Sequence, residues 1–159
     1  MKKILELLER DASLSAEQIA VMLGRDPIAV AAQIKEFEEK NIIVGYKTII
    51  NWENTDAEPV SAIIELKVTP QRGEGFDEVA KRIYQYEEVA SVYLMSGGYD
   101  LALIIEGKTM KEVALFVAEK LAPLEQVLST ATHFVLKKYK VDGVIVNDKP
   151  QDVREVMSL

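Results

Sequence analysis

Apolar residues in the first forty positions recur at steps of three and four. Ile4, Leu5, Leu7 and Leu8 form a stripe between Lys2 and Arg10, which predicts a first helix. Ser15 with Gln18 three residues on is a capping box, so a second helix begins there. Ile19, Ala20 and Leu23 are its inward face, and the small Ala20 lets the next helix approach closely. Gly24 can take the left-handed conformation that closes such a helix. Asp26 is a good N-cap and Pro27 suits the first helical position. A third helix then runs to about Lys40 with Val30, Ile34 and Phe37 on one face, and Asn41 supplies a left-handed stop. Two short helices joined by a tight turn are the core of a helix-turn-helix, whose second helix can enter a DNA major groove.

From Ile42 to Ile50 the pattern becomes extended. Val44-Gly45-Tyr46-Lys47-Thr48-Ile49-Ile50 is β-rich and, directly after the third helix, reads as a wing. Residues 51–59 are polar and turn-rich and are taken as a linker, with Trp52 as a hydrophobic anchor. Beyond it the elements alternate. Strands are expected over Val60–Val68, Val89–Ser96, Tyr99–Glu106 and Val127–Tyr139, and helices over Phe76–Tyr86 and Thr109–Leu121. Gly97-Gly98 joins the middle strands as a hairpin. The order βαββαβ is the ferredoxin-like plan, with helices on one sheet face. The other face needs cover, so self-association is expected. Val144-Ile145-Val146 suggests an edge strand, and Pro150 a short helix containing Val153, Val156 and Met157. The expected class is α+β: a winged helix-turn-helix at 1–50, a linker at 51–59, a ferredoxin-like domain at 60–140 and an extension at 141–159.

Composition removes several chemistries. A chain of 159 residues without cysteine has no disulfide, thiolate-metal or thiol-nucleophile chemistry. His133 is the only histidine, far short of a zinc set, and reads as a satisfied strand residue. No nucleophile–base pair and no phosphate-cradling loop stands out, so no catalytic, metal or cofactor role is expected. No apolar run approaches the ~20 residues that span a bilayer, and a cytoplasmic protein is expected. The net charge of −7 bears on DNA binding, because affinity comes largely from Lys and Arg displacing counterions. Residues 1–54 hold seven Lys/Arg against nine Asp/Glu, so any DNA contact must use local clusters.

Candidate sites follow. Ile28, Ala29, Ala32, Gln33 and Lys35 are expected to face outward from the third helix. Gln33 suits a bidentate pair with adenine, and Ala29 or Ala32 a thymine methyl. Lys2, Lys3, Arg25 and Lys47 suit phosphates. In the second unit, Gly97 and Gly98 leave backbone N–H groups open to a carboxylate, and Asp100 suits an α-ammonium. Thr130 and Thr132 offer hydroxyls from a nearby strand. An amino acid needs that mix. The alternative for this loop is a tight hairpin whose Asp100 caps the turn.

The arrangement resembles the Lrp/AsnC family of bacterial and archaeal regulators over about residues 1–140. The matching features are Ser15-Ala-Glu-Gln-Ile19-Ala20-x-x-Leu23-Gly24, Val30-x-x-x-Ile34-x-x-Phe37 and Ile42-Ile43-Val44-Gly45-Tyr46. In the second unit they are Ser96-Gly97-Gly98-Tyr99-Asp100-Leu101 and Thr130-x-Thr132. The sequence departs from the family at Gln33, where Arg is common. The resemblance implies homodimers assembling into tetramers or octamers. It also implies an amino-acid effector bound between the C-terminal domains, at residues that include Ser96 and Tyr99, and double-stranded DNA as partner. The competing readings are a metabolite sensor that has lost DNA recognition and, further off, an enzyme resembling tetrapyrrole decarboxylases.

Overall fold

A computed structural model describes residues 2–57, 59–70 and 75–146. The chain divides into two compact units, one running to Ile50 and the other starting at Asn51.

The first unit holds α1 (Lys2–Arg10), α2 (Ala16–Leu23) and α3 (Pro27–Glu39). Their ends are made by the residues that announce them. Ser15 Oγ accepts from Gln18 N at 3.2 Å while Gln18 Oε1 accepts from Ser15 N at 2.8 Å, which closes the capping box reciprocally. Gly24, at φ 61°, lets its own N–H reach Val21 O and the Arg25 N–H reach Ala20 O. That is a Schellman ending, in which orphan carbonyls are satisfied. Asn41, at φ 53°, does the same for α3: Asn41 N meets Glu38 O and Ile42 N meets Phe37 O at 2.8 Å. A Cβ at position 24 would meet nothing within 4 Å. Gly24→Ala is therefore expected to cost only the left-handed backbone penalty, about 1 kcal/mol. Chemical denaturation of the first unit checks this value. The helices close on Ile4, Leu8, Ile19, Ala20, Val30 and Phe37.

Residues 44–50 carry no regular secondary structure, which corrects the expected wing strand. High β propensity there meets no partner strand among the described residues, and a strand exists only as part of a ladder. Tyr46 is nonetheless tied to α3, donating its hydroxyl to Glu38 at 2.8 Å.

The second unit has β1 (Val60–Val68), α4 (Asp77–Ile83), β2 (Val89–Leu94), β3 (Leu101–Gly107), α5 (Met110–Phe116) and β4 (Val127–Phe134). The sheet order is β2-β3-β1-β4, all antiparallel, the ferredoxin-like order. Strand β1 alternates as a sheet with one covered face should. Ala62, Ile64, Leu66 and Val68 are buried, with Leu101, Leu103 and Ile105 of β3 beside them. Val79 and Ile83 of α4 and Val113 and Phe116 of α5 complete this core. The opposite face carries Ile63, Glu65, Lys67, Tyr93 and His133, with Ile63 41% and Tyr93 52% exposed. His133 Nε2 lies 3.5 Å from Glu65 Oε1, a surface pairing on that face.

Several boundaries differ from expectation. β2 ends at Leu94, β3 begins at Leu101 and α4 is shorter at both ends. Helix α5 passes into a π turn over Val117–Leu121, closed by Ala122 N on Val117 O at 2.8 Å, and the chain leaves the helix before Pro123. That turn sets Lys120 against Glu88 at 2.5 Å and over the rings of Tyr86 and Phe116. Strand β4 stops at Phe134 rather than Tyr139, because Phe134 pairs with Ala62 near the start of β1. A separate hairpin follows, β5 (Lys140–Val141) with β6 (Val144–Ile145), turning at Asp142-Gly143 with both φ positive. The linker is not free of the second unit. Asn51 Nδ2 donates to Val146 O at 2.8 Å, and Trp52–Asn54 form a 3₁₀ turn. The helix expected from Pro150 lies outside the described residues.

Candidate DNA-reading face and effector loop

Helix α3 starts on a strong cap: Asp26 Oδ2 accepts from Ala29 N at 2.9 Å, with Pro27 in the first turn. Its apolar residues Val30 and Phe37 are buried against α1 and α2, so the opposite side faces solvent. On that side Ile28 is 80% exposed, and Ala29, Ala32 and Lys35 are exposed with it. Gln33 departs from expectation. It is half-buried on the flank of the helix, and its Nε2 donates to Glu36 Oε2 at 2.7 Å. The helical repeat explains this: position 33 lies one turn from Val30 and Phe37, at the border of the core stripe.

Charge along α3 is uneven. Its first two turns carry no carboxylate, whereas Glu36, Glu38 and Glu39 crowd the last turn. Lys40 pairs with Glu36 at 2.5 Å and Lys35 with Glu39 at 3.7 Å. The Lys40 ammonium holds the Glu36 carboxyl below the usual carboxylate range. Glu38, accepting the phenol proton, pushes Tyr46 above the usual phenol range. Carboxylates repel phosphates, so the amino-terminal half of α3 is the part that can approach a duplex. Helix N-termini also favour anions.

Three of the sequence-proposed cations converge. Lys2, Lys3 and Arg25 line one hollow of about 520 Å³ with Ile4, Met22 and Leu23. Lys47 is exposed but does not line this hollow.

In the second unit the β2–β3 loop is tightly tied at its base. Met95 N meets Asp100 O at 2.8 Å and Asp100 N meets Leu66 O at 2.9 Å. Asp100 Oδ2 accepts from Val68 N at 2.9 Å. The β1–β4 register slips between Lys67 and Val68, and at this slip the Asp100 carboxylate satisfies the Val68 N–H. Gly97 has φ 149°, a region essentially reserved for glycine. Ser96, Gly97 and Gly98 are exposed; Tyr99 and Asp100 are half-buried. A Cβ at Gly97 or Gly98 would meet nothing within 4 Å, so the loop's backbone is open to a ligand.

Thr130 and Thr132 do not meet this loop within the chain. Leu66 pairs with Leu101 on one side and Thr130 on the other, so the width of β1 separates them. That is two inter-strand spacings, roughly 10 Å. Their strand is near the loop but not beside it, because β1 is inserted between β3 and β4, which local pattern does not reveal. A feature missed from the sequence lies at the far end of β3: a hollow of about 240 Å³ beside Gly107, Phe116 and Lys120. Among the described residues no helix is long and apolar enough to cross a membrane.

Comparison with known proteins agrees with this arrangement. Residues 61–145 match the Lrp/AsnC ligand-binding domain and residues 1–44 a winged helix-turn-helix DNA-binding domain. A Bacillus subtilis protein described as the HTH-type transcriptional regulator YugG is 48% identical over 98% of this chain and 95% of its own. The leucine-responsive regulatory protein of Haemophilus influenzae is 28% identical over 91% of this chain and 86% of its own. The fold also matches a Neisseria meningitidis transcriptional regulator solved in complex with L-Met. The TM-score is 0.71 at 21% identity, over 91% of this chain and 94% of that one. A DNA-binding helix-turn-helix followed by a ligand-binding domain, in the same order and over nearly the whole length, makes this chain a transcriptional regulator of the Lrp/AsnC family.

Proposed function

We propose that this regulator binds duplex DNA as a homodimer or higher homo-oligomer and that an amino acid tunes its assembly or its DNA affinity. The observation that carries the DNA part is the capped α2–α3 pair. It leaves Ile28, Ala29 and Ala32 exposed on the first two turns of α3, which carry no carboxylate of their own, with Lys35 exposed on the turn that follows. These side chains reach base edges, with Ile28, Ala29 and Ala32 suited to thymine methyls. Gln33 reads adenine from the flank. Lys2, Lys3, Arg25 and Lys47 hold phosphates and set the register. Two readers in a symmetric dimer would address half-sites a helical turn or its multiples apart, ~34 Å per turn.

The effector part rests on the open loop of Ser96, Gly97, Gly98 and Tyr99 beside the Asp100 carboxylate. Thr130 and Thr132, a strand's width away, would contribute through a neighbouring copy or serve a ligand that spans both. Two relatives support an amino acid. One is named leucine-responsive and one was solved with L-Met. The sheet face that carries Ile63 and Tyr93, which none of the described helices covers, supports self-association. An effector acts here only by binding the assembly states with different affinity.

The test is a titration of the regulator's own upstream DNA across salt, with and without each amino acid. Removing Lys2, Lys3 and Arg25 together by alanine substitution is expected to flatten the logarithmic salt slope by roughly 2–3, about 0.9 per phosphate contact. An unchanged slope would show that these cations do not meet phosphates. The second reading, a sensor without DNA recognition, draws on Glu36, Glu38 and Glu39 and on the net charge of −7. It predicts no salt-dependent binding at all.

A further inference from the structure

One carboxylate on α3 is engaged at both oxygens. Glu36 Oε2 accepts from Gln33 Nε2 at 2.7 Å, and Glu36 Oε1 accepts from Lys40 Nζ at 2.5 Å. An ionised carboxylate can only accept, so it takes the NH2 end of the Gln33 amide and rejects the carbonyl end. The hydrogen bond from the Lys40 ammonium lowers the Glu36 pKa and so favours its ionised form. An isolated glutamine amide turns either end outward at similar cost, but this one does not have that choice.

The consequence concerns which base Gln33 accepts. A primary amide has two N–H bonds and one carbonyl oxygen. Glu36 takes one N–H. When Glu36 takes the N–H trans to the oxygen, the other N–H and the oxygen stay together on one edge as a donor–acceptor pair. Adenine presents a matching pair in the major groove, N7 as acceptor and N6–H as donor. Guanine presents N7 and O6, both acceptors, so the same edge would set the Gln33 oxygen against a guanine oxygen or nitrogen. The stem of Gln33 is half-buried, so the direction of the amide is what remains to be set.

We propose that Glu36 is a positioning residue for DNA reading: by holding the NH2 end of Gln33 it makes one operator position prefer adenine over guanine. Its own negative charge lowers affinity for every sequence alike, so selectivity comes at the expense of strength. This inference rests on the DNA-reading function proposed above.

The experiment is selection from a randomised duplex pool by full-length wild type, Gln33→Ala, Glu36→Ala and Glu36→Gln, with binding to a non-specific duplex measured in parallel. Wild type is expected to enrich a motif with adenine at one position. Gln33→Ala loses that position and leaves the others. Both Glu36 variants lose the adenine-over-guanine preference there, by about tenfold, the size of one bidentate base contact. They also bind the non-specific duplex more tightly, because a negative charge beside the reading surface is gone and Lys40 loses its partner. Glu36→Gln keeps the side chain's size and its exposed helical position. It loses selectivity only because a neutral amide can accept from or donate to Gln33. Glu36 variants that retain the wild-type adenine preference overturn the inference, as does a Gln33→Ala protein with an unchanged motif. A wild-type protein that enriches no motif defeats the DNA-reading function itself.

Discussion

Replacing Phe37 with alanine is expected to unfold the amino-terminal unit and abolish DNA binding while the second unit stays folded. Phe37 is 1% exposed and is the largest side chain in the small cluster that closes α1, α2 and α3. Its carbonyl also accepts from the N–H groups of Ile42 and Ile43, at 2.8 and 3.1 Å, which holds the exit from α3. Truncating a buried phenylalanine costs about 3–5 kcal/mol through lost burial and the cavity left behind. A unit of this size has roughly 2.5–7.5 kcal/mol to lose, at ~0.05–0.15 kcal/mol per residue. The loss therefore consumes most or all of the unit's stability. Calorimetry should show the transition of the first unit displaced or absent, with that of the second near its wild-type temperature. A single transition in which both units fall together would refute the expectation.

Asp100 separates a structural from a functional role by its two simplest substitutions. Asp100→Ala leaves the Val68 N–H, now served at 2.9 Å, without its acceptor. That costs about 1–3 kcal/mol in the second unit. Asp100→Asn keeps an oxygen that can accept from Val68, so most of that stability should remain, and only the charge is lost. If Asp100 also pairs with an effector ammonium, the asparagine variant will bind its amino acid at least about tenfold more weakly while melting near wild type, since charge-assisted bonds are roughly twice as strong as neutral ones. Isothermal calorimetry with the responsive amino acid reads the affinity, and thermal melting reads the fold. Full amino-acid affinity in the Asp100→Asn protein would confine Asp100 to closing the hairpin.

The parts of the fold that could be read in advance share a range of a few residues. The capping box at Ser15 and Gln18, the left-handed Gly24 and Asn41, and the Asp26–Pro27 start are each completed by atoms within six positions. Strand β1 matches its expected bounds of Val60–Val68, and its residues alternate between covered and open faces with a period of two. The Asp142-Gly143 turn and the Gln33–Glu36 pair are local too, but each competes with a second local pattern, a continuing edge strand and an outward amide. Other features have no local signature. Residues 44–50 are as β-prone as β1 yet carry no strand.

The candidate sites divide the same way. The exposed half of α3 follows from helical periodicity, and the open loop from Gly97. The convergence of Lys2 and Lys3 with Arg25, from opposite ends of α1 and α2, depends on how those helices pack. The use of Asp100 by Val68, 32 positions earlier, depends on a register slip. The distance from Thr130 to the loop is likewise non-local, and exists because β1 lies between β3 and β4. Helix termini were settled by near-neighbour hydrogen bonding, which any short stretch of chain carries within itself. Strand ends and the spacing of the candidate ligand groups were settled by pairing between distant segments, because a ladder's length and register belong to two strands jointly.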